Sequence, residues 1–204
     1  MLFSCQLHQG PAFEKGMMRS GVDVEISSLE EEVNYGDLSS LGYVGTYTET
    51  TETDTFSIEV AQGYFINSNL EVGGEFLYSN EDAQVTVRDA GTIIGTGGVD
   101  DTRLGISGYA RYYFVPEGST RFFGEAQLGW LDGSRDFAGS TSFDFDGFLF
   151  GISAGAIAFV TESSAIEAQL AFRSATLDGT DSGGLPFDID ATEVALLLGY
   201  TYFF

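Results

Sequence analysis

The C-terminal segment 192–204 reads TEVALLLGYTYFF. Apolar or aromatic residues occupy every second position of this segment: Val194, Leu196, Leu198, Tyr200, Tyr202 and Phe204. Successive side chains of a β-strand point to opposite faces, so this period of two predicts a strand with one apolar face. Glu193 begins the other face.

The same period recurs from Leu41 onward and predicts eight strands. Their predicted ranges are 41–51, 55–66, 69–80, 102–115, 120–131, 143–159, 164–177 and 191–204. Tight turns at 67–68, 116–119 and 161–163 alternate with long polar loops at 81–101, 132–142 and 178–190, and 52–54 forms a shorter loop of the second kind. We expect an all-β, eight-stranded, antiparallel up-and-down barrel with short turns at one end and longer loops at the other.

The faces of the predicted strands separate apolar from charged residues. In 69–80, for example, Leu70 and Phe76 oppose Glu71 and Glu75. An antiparallel sheet with one wet face has the same period, so alternation alone leaves a soluble barrel open. Aromatic residues cluster before each tight turn and at the chain end, as in the interfacial girdle of a transmembrane barrel. We therefore favour a barrel whose apolar faces point outward to lipid.

Composition narrows the classes of protein. The chain carries 31 acidic and 8 basic residues, a net charge of −23, which disfavours nucleic acid as a partner. No run approaches the roughly 18 apolar residues that a membrane helix needs. Residues 1–40 are acidic and lack an export signal, so we expect an irregular leader, truncated or wrongly started, with a short strand at Val22, Val24 and Ile26. The barrel is then expected at 41–204.

Three segments resemble the small outer-membrane β-barrel family that includes OmpA-type and OmpX-type proteins. They are TFSIEVAQGYFI at 55–66 with its turn into NLEVGGEFLY at 69–78, YARYYF at 109–114, and the C-terminal segment. The resemblance covers 41–204. It implies a monomeric barrel in the outer membrane of a Gram-negative bacterium, with short turns in the periplasm. It also implies that the barrel-assembly machinery reads Val194, Leu196, Leu198, Tyr200, Tyr202 and Phe204. The chain ends at the barrel, so the resemblance implies no peptidoglycan tether.

The inward faces carry charges of both signs. The predicted interior network consists of Glu59, Glu71, Glu75, Arg103, Arg111, Glu125, Glu167, Arg173 and Glu193. An eight-stranded barrel is about wide enough for side chains to fill, so we expect a salt-bridged polar core. A narrow path for ions or small solutes is the alternative.

Candidate catalytic groups are sparse. The only histidine is His8, in the predicted leader, so we expect no enzyme and no cofactor. Calcium at Asp178, Asp181, Asp188 and Asp190 is a minority hypothesis, since clustered carboxylates suit it but the spacing matches no EF-hand. We expect a structural or surface-interaction role in the cell envelope, with acidic loops that bind surface ligands or cationic agents. The alternatives are a narrow pore and a soluble barrel that binds an apolar ligand.

Overall fold

The computed structural model describes residues 8–37, 46–89, 92–137, 142–180 and 186–204. It contains eight strands: β1 (Met18–Asp37), β2 (Thr46–Phe65), β3 (Leu70–Asp89), β4 (Thr92–Tyr113), β5 (Thr120–Phe137), β6 (Ser142–Phe159), β7 (Ser164–Thr180) and β8 (Pro186–Phe203). Each strand pairs antiparallel with its neighbours in sequence, and β8 pairs with β1, which closes the barrel. The predicted all-β, eight-stranded, up-and-down barrel is confirmed. Within the described ranges, no helix is long and apolar enough to cross a membrane.

The apolar faces of the strands point outward. Ile106 and Val194 are each 69% exposed, whereas Arg19, Glu71 and Glu167 are fully buried in the lumen. The six alternating residues of the C-terminal segment all lie on the outer face. A soluble barrel has the opposite arrangement, because water would face the apolar side chains. The alternative of a soluble barrel around an apolar ligand is therefore wrong.

The barrel begins earlier in the chain than predicted. β1 starts at Met18 and pairs with β2 from Met18↔Tyr64 to Asp37↔Thr46, so the boundary at residue 41 is wrong. The predicted strands 41–51 and 55–66 are parts of a single strand, β2, which begins at Thr46. Residues 41–45 lie outside the described residues. The predicted loop at 52–54 lies inside β2. The strand count was right because one strand was missed and another was divided.

The reason is that β1 and β2 continue beyond the apolar band of the barrel. There the sequence is polar at successive positions, as in EEE at 30–32 and TETTETDT at 48–55, so the hydrophobic period disappears. The backbone ladder nevertheless continues, with Glu30 opposite Glu52. The predicted short strand at Val22, Val24 and Ile26 is the part of β1 that keeps the alternation.

The two ends of the barrel differ. We call the end with the short connections the turn end. There Asn67 Oδ1 accepts hydrogen bonds from the backbone of Asn69 and Leu70 at 2.8 and 3.0 Å, and Gly118 has a φ of +102°. At the opposite end, the hairpin end, the predicted loops are mostly strand: β3 runs to Asp89 and β4 starts at Thr92.

The closing seam is short. β1 and β8 pair only from Arg19↔Phe203 to Val24↔Leu198 in the described residues, whereas β7 and β8 pair from Ser164↔Tyr202 to Thr180↔Pro186. Toward the hairpin end, the described parts of β1 and β8 therefore show no pairing beyond Val24.

Candidate functional site

The lumen is centred on Arg19, which β1 holds completely buried. Its Nε donates to Glu71 Oε1 at 2.8 Å, and its Nη1 lies 3.1 Å from Glu167 Oε2. Its Nη2 donates to the Tyr109 hydroxyl at 3.1 Å. One guanidinium thus connects β1 to β3, β4 and β7 across the lumen.

Arg111 extends the same network from β4. Its Nε donates to Glu125 Oε2 at 2.7 Å, and its Nη1 lies 2.7 Å from Glu167 Oε1. Its guanidinium also stacks 4.0 Å above the ring of Phe123. Glu167 is therefore shared by Arg19 and Arg111, and its negative charge holds the two cations in one cluster.

A third arginine lies nearer the hairpin end. Arg173 on β7 forms an ion pair with Glu59, and its Nη1 lies 3.8 Å from Glu193 Oε2. With its amide turned to satisfy both neighbours, Gln127 donates to Glu75 at 3.2 Å and accepts from Arg173 Nε at 3.2 Å. Ion pairs of this kind add little net stability, but loss of one partner leaves a buried charge at a cost of about 3–5 kcal/mol.

Glycines make room for these side chains. A Cβ at Gly63 would overlap the Glu71 carboxylate and lie 2.5 Å from the Tyr109 hydroxyl oxygen. Glu71 in turn accepts hydrogen bonds from the Tyr109 and Tyr113 hydroxyls at 2.5 and 2.9 Å. The wall beside Glu71 must therefore be bare backbone.

Arg103 lies apart from the other predicted network residues. Eight of the nine share the central lumen, namely Glu59, Glu71, Glu75, Arg111, Glu125, Glu167, Arg173 and Glu193. Arg103 pairs instead with Asp101 at 2.7 Å and Glu81 at 3.1 Å near the hairpin end. The sequence reasoning missed Arg19, Asp23 and Glu25, because it placed β1 outside the barrel. Their spacing was the available signal, since all three alternate with Met18, Val22 and Val24.

Asp101 is the centre of this second cluster, beyond the apolar band, which starts on β4 at Leu104. It accepts hydrogen bonds from Arg135 Nε at 3.0 Å and from Arg103 Nη2 at 2.7 Å. Burial alone raises the pKa of Asp101, but the hydrogen bonds from Arg135 and Arg103 outweigh it and lower that pKa below its usual value.

The chain segment 8–17 crosses the turn end of the lumen. Phe13 inserts among Phe65, Tyr113 and Phe203, with ring centroids 4.4, 4.7 and 5.2 Å away. Arg121 lies 3.9 Å above the Phe13 ring and donates to the Pro11 carbonyl oxygen. We call segment 8–17 the plug. The expectation of a leader outside the barrel is wrong for these residues, because the aromatic mouth offers Phe13 an apolar site.

His8 lies at the rim of this plug. Its backbone N–H donates to the Phe159 carbonyl oxygen at 3.0 Å, and the residue is exposed. No lumenal carboxylate pairs with it among the described contacts. The histidine is therefore placed at the mouth of the barrel and away from the buried charges.

Aspartates form two rows around the outer surface, just beyond the apolar band toward the hairpin end. In the first row, neighbouring strands pair Asp54↔Asp82↔Asp100↔Asp136. In the second row they pair Asp132↔Asp146↔Asp178. Directly opposed residues have Cβ atoms about 4.5–5.5 Å apart, so like charges repel along each row. The hydrogen bond between Asp82 and Asp100, together with the charge of Asp100, raises the pKa of Asp82.

The predicted calcium residues fall partly in these rows. Asp178 pairs with Asp188, Asp190 pairs with Thr176, and Asp181 lies outside the described residues. Within the part of the chain that the structure describes, no three acidic, histidine or cysteine side chains converge on a point that could hold a metal ion.

Two solved structures share this fold. The outer membrane protein OprG from Pseudomonas aeruginosa is 14% identical, with a TM-score of 0.55 over 94% of this chain and 97% of OprG. Neisserial surface protein A (NspA) is 14% identical, with a TM-score of 0.54 over 92% of this chain and 99% of NspA. At this identity the likeness shows the fold alone.

Comparison of the sequence with family models identifies the family. No curated protein sequence matches the chain. The family model described as "Outer membrane protein beta-barrel domain" matches residues 10–203, which include the plug and β1. The chain therefore belongs to the outer membrane protein β-barrel domain family, and its apolar outer face contacts the lipid of the bacterial outer membrane.

Proposed function

We propose that this protein is a non-conducting, non-catalytic barrel that acts at the cell surface. The observation that carries this proposal is the occupied lumen. Between the plug at the turn end and Arg173 near the hairpin end, the lumen holds aromatic rings and paired charges. An interior filled in this way supports a structural role for the lumen and leaves the outer surfaces for interaction.

The test of the closed lumen is conductance. The full chain, refolded into planar phospholipid bilayers, is expected to give no steady single-channel current. Heat-dependent gel mobility verifies that the same material is folded. A steady, ion-selective current from the folded wild-type protein would support the alternative of a narrow pore and contradict the proposal.

A double variant tests which part of the lumen blocks the passage of ions. Phe13→Ala with Arg121→Ala removes the aromatic and cationic contacts of the plug, while the network around Arg19 stays in place. We expect this double variant to remain closed, because the charged network lies above the plug. Current from the double variant alone would show that the plug is the only barrier.

We further propose that the aspartate rows bind a cationic partner. With the turn end in the periplasm, as in other bacterial barrels, the rows lie on the extracellular side of the barrel. Repulsion between directly opposed carboxylates favours any partner that brings positive charge between them. Because no three carboxylates converge on one point in the described ranges, an extended polycation fits the rows better than a chelated calcium ion.

Polylysine binding tests this role. Asp82→Asn with Asp100→Asn is expected to weaken polylysine binding to protein-containing vesicles and to reduce its salt dependence. Glu117→Gln with Glu162→Gln, two exposed changes at the turn end, is the matched control and should leave binding unchanged. Equal binding by both double variants would contradict the proposal. Calcium binding measured on the same proteins tests the alternative ligand.

We also propose that the protein is a monomer and that the barrel-assembly machinery recognises its last strand. Val194, Leu196, Leu198, Tyr200, Tyr202 and Phe204 all face outward, which supports their availability to the barrel-assembly machinery. The lipid-facing surface of one copy closes on itself through β1 and β8, so no second copy is required for the barrel.

A further inference from the structure

A cavity of about 590 Å³ opens inside the barrel toward the hairpin end. One wall is apolar and includes Leu131, Leu149 and Leu177. The polar part of the lining includes Glu81, Arg103 and Glu193. The volume falls within the range of about 300–1,000 Å³ that is usual for small-molecule sites. A cavity with one apolar and one charged wall is complementary to a molecule with the same division.

The cavity also reaches the barrel wall at the short closing seam. Val194 points its side chain outward, yet it lines the cavity together with the inward residue Glu193. The described pairing of β1 with β8 ends at Val24↔Leu198, and Val194 lies four residues from Leu198 along β8 toward the hairpin end. The gap in the strand pairing is therefore where the cavity meets the outer surface of the barrel.

The charged wall offers a carboxylate with a loosely held partner. Arg103 is held by Asp101 at 2.7 Å and Glu81 at 3.1 Å, and Arg173 is hydrogen bonded to Glu59. Glu193 Oε2 lies 3.8 Å from Arg173, beyond hydrogen-bond distance, and its side chain is 40% exposed. Glu193 is thus accessible to a second cation, which would form a charge-assisted hydrogen bond in a partly dry site.

We propose that this cavity is a binding site for a small amphipathic amine. The apolar body of the ligand packs against Leu131, Leu149 and Leu177, and its ammonium group binds Glu193. The inference does not depend on the aspartate rows or on the closed lumen, because the cavity lies above Arg173 and inside the wall.

Three probes with one rigid apolar body and different heads test the site: 1-adamantylamine, 1-adamantanol and 1-adamantanecarboxylate. Binding to the full chain in zwitterionic lipid nanodiscs is measured by calorimetry, with empty nanodiscs subtracted. We expect the amine to bind about tenfold more tightly than the alcohol, which corresponds to one charge-assisted contact. The carboxylate is expected to give no saturable binding.

Two variants separate the parts of the site. Glu193→Gln should bring the affinity for the amine down to that for the alcohol, and the exposed control Glu117→Gln should change neither. Ala191→Leu fills space on the apolar side of the cavity and leaves the Glu193 carboxylate in place. It should weaken the binding of the amine and of the alcohol by the same factor. Heat-dependent mobility shows that each variant is folded. Should Glu193→Gln fail to fold, the comparison of the three probes on wild type and Ala191→Leu still decides the question.

Three results overturn the proposal: equal affinity for all three probes, no saturable binding of the amine, or unchanged amine affinity in folded Glu193→Gln. The proposal is supported if wild type binds the amine more tightly than the alcohol and does not bind the carboxylate probe, and if Ala191→Leu binds both the amine and the alcohol more weakly.

Discussion

Arg19 on the first strand and Glu167 on the seventh lie 3.1 Å apart in the centre of the lumen, fully buried. Glu167 also lies 2.7 Å from Arg111, so a single carboxylate neutralises cations from β1 and β4. The residues that form the closing side of the barrel are thus tied across its interior as well as along its backbone ladder.

Glu167→Gln is expected to lower the free energy of unfolding by about 3–5 kcal/mol, because it leaves two buried guanidinium groups without their shared counter-charge. Urea unfolding in phospholipid vesicles measures this change. Glu162→Gln, an exposed change in the adjacent turn, is the control and should be within about 0.5 kcal/mol of wild type. Equal stability of the two variants would show that the network around Arg19 adjusts without Glu167.

Gly63→Ala tests whether the network needs bare backbone beside Glu71. The added methyl group overlaps the Glu71 carboxylate, so we expect destabilisation of about 1–3 kcal/mol in the same unfolding measurement. Gly74→Ala is the matched control, since its new Cβ would meet its nearest neighbour, Ser107 O, at 3.6 Å. A neutral Gly63→Ala would mean that Glu71 can move without loss.

Phe13→Ala is expected to release the plug. Truncation of a buried aromatic costs about 3–5 kcal/mol, and here that cost falls on docking of segment 8–17. Limited proteolysis of the refolded protein should cut near Lys15 faster than in wild type, with the barrel itself intact by gel mobility. Phe114→Ala, an outward aromatic at the same end, should leave the cleavage rate unchanged.

The lowered pKa of Asp101 predicts that the free energy of unfolding depends on pH. Its folded-state pKa lies below the unfolded value of about 3.9, so its contribution is complete at neutral pH and is lost as pH falls through the folded pKa. The difference in unfolding free energy between wild type and Asp101→Asn should therefore be largest near pH 7 and shrink below about pH 4. A difference that stays constant down to pH 3 would contradict the ionic origin of the contribution.

Phe204→Ala tests the C-terminal segment as an assembly signal. We expect less barrel in the outer membrane of expressing cells, while the refolded variant keeps the stability of wild type. Phe114→Ala is again the matched control, because Phe114 and Phe204 are similarly exposed aromatics at the turn end. Loss of refolded stability equal to the loss in cells would assign Phe204 a structural role only.

The sequence predicts those parts of the fold in which lipid and lumen impose opposite chemistry on successive residues. This holds for the strand halves near the turn end, such as Leu70 to Tyr78, and for the charged set that contains Arg111, Glu167 and Arg173. Beyond the apolar band both faces are polar, so β1 and the extended hairpins gave no hydrophobic period. Arg19 lies in the part of β1 that does keep the alternation, and it was missed because that part was assigned to the leader.

The plug could not be predicted from periodicity either. Phe13 has no alternating neighbours, and its site exists only where Phe65, Tyr113 and Phe203 come together from distant parts of the chain. The aspartate rows likewise depend on register between strands, which a single strand does not reveal.

The plug also has a consequence for the order of assembly. Phe13 stacks on Phe203 at 5.2 Å, and Met18 and Phe204 exchange backbone hydrogen bonds of 2.8 and 3.0 Å. These partners stand at opposite ends of the chain, so the plug has a complete seat only after the last strand has arrived. An intermediate without β8 would lack Phe203, so Phe13 would be without one of the rings that it packs against. Docking of Phe13 would in this way distinguish a finished barrel from an unfinished one.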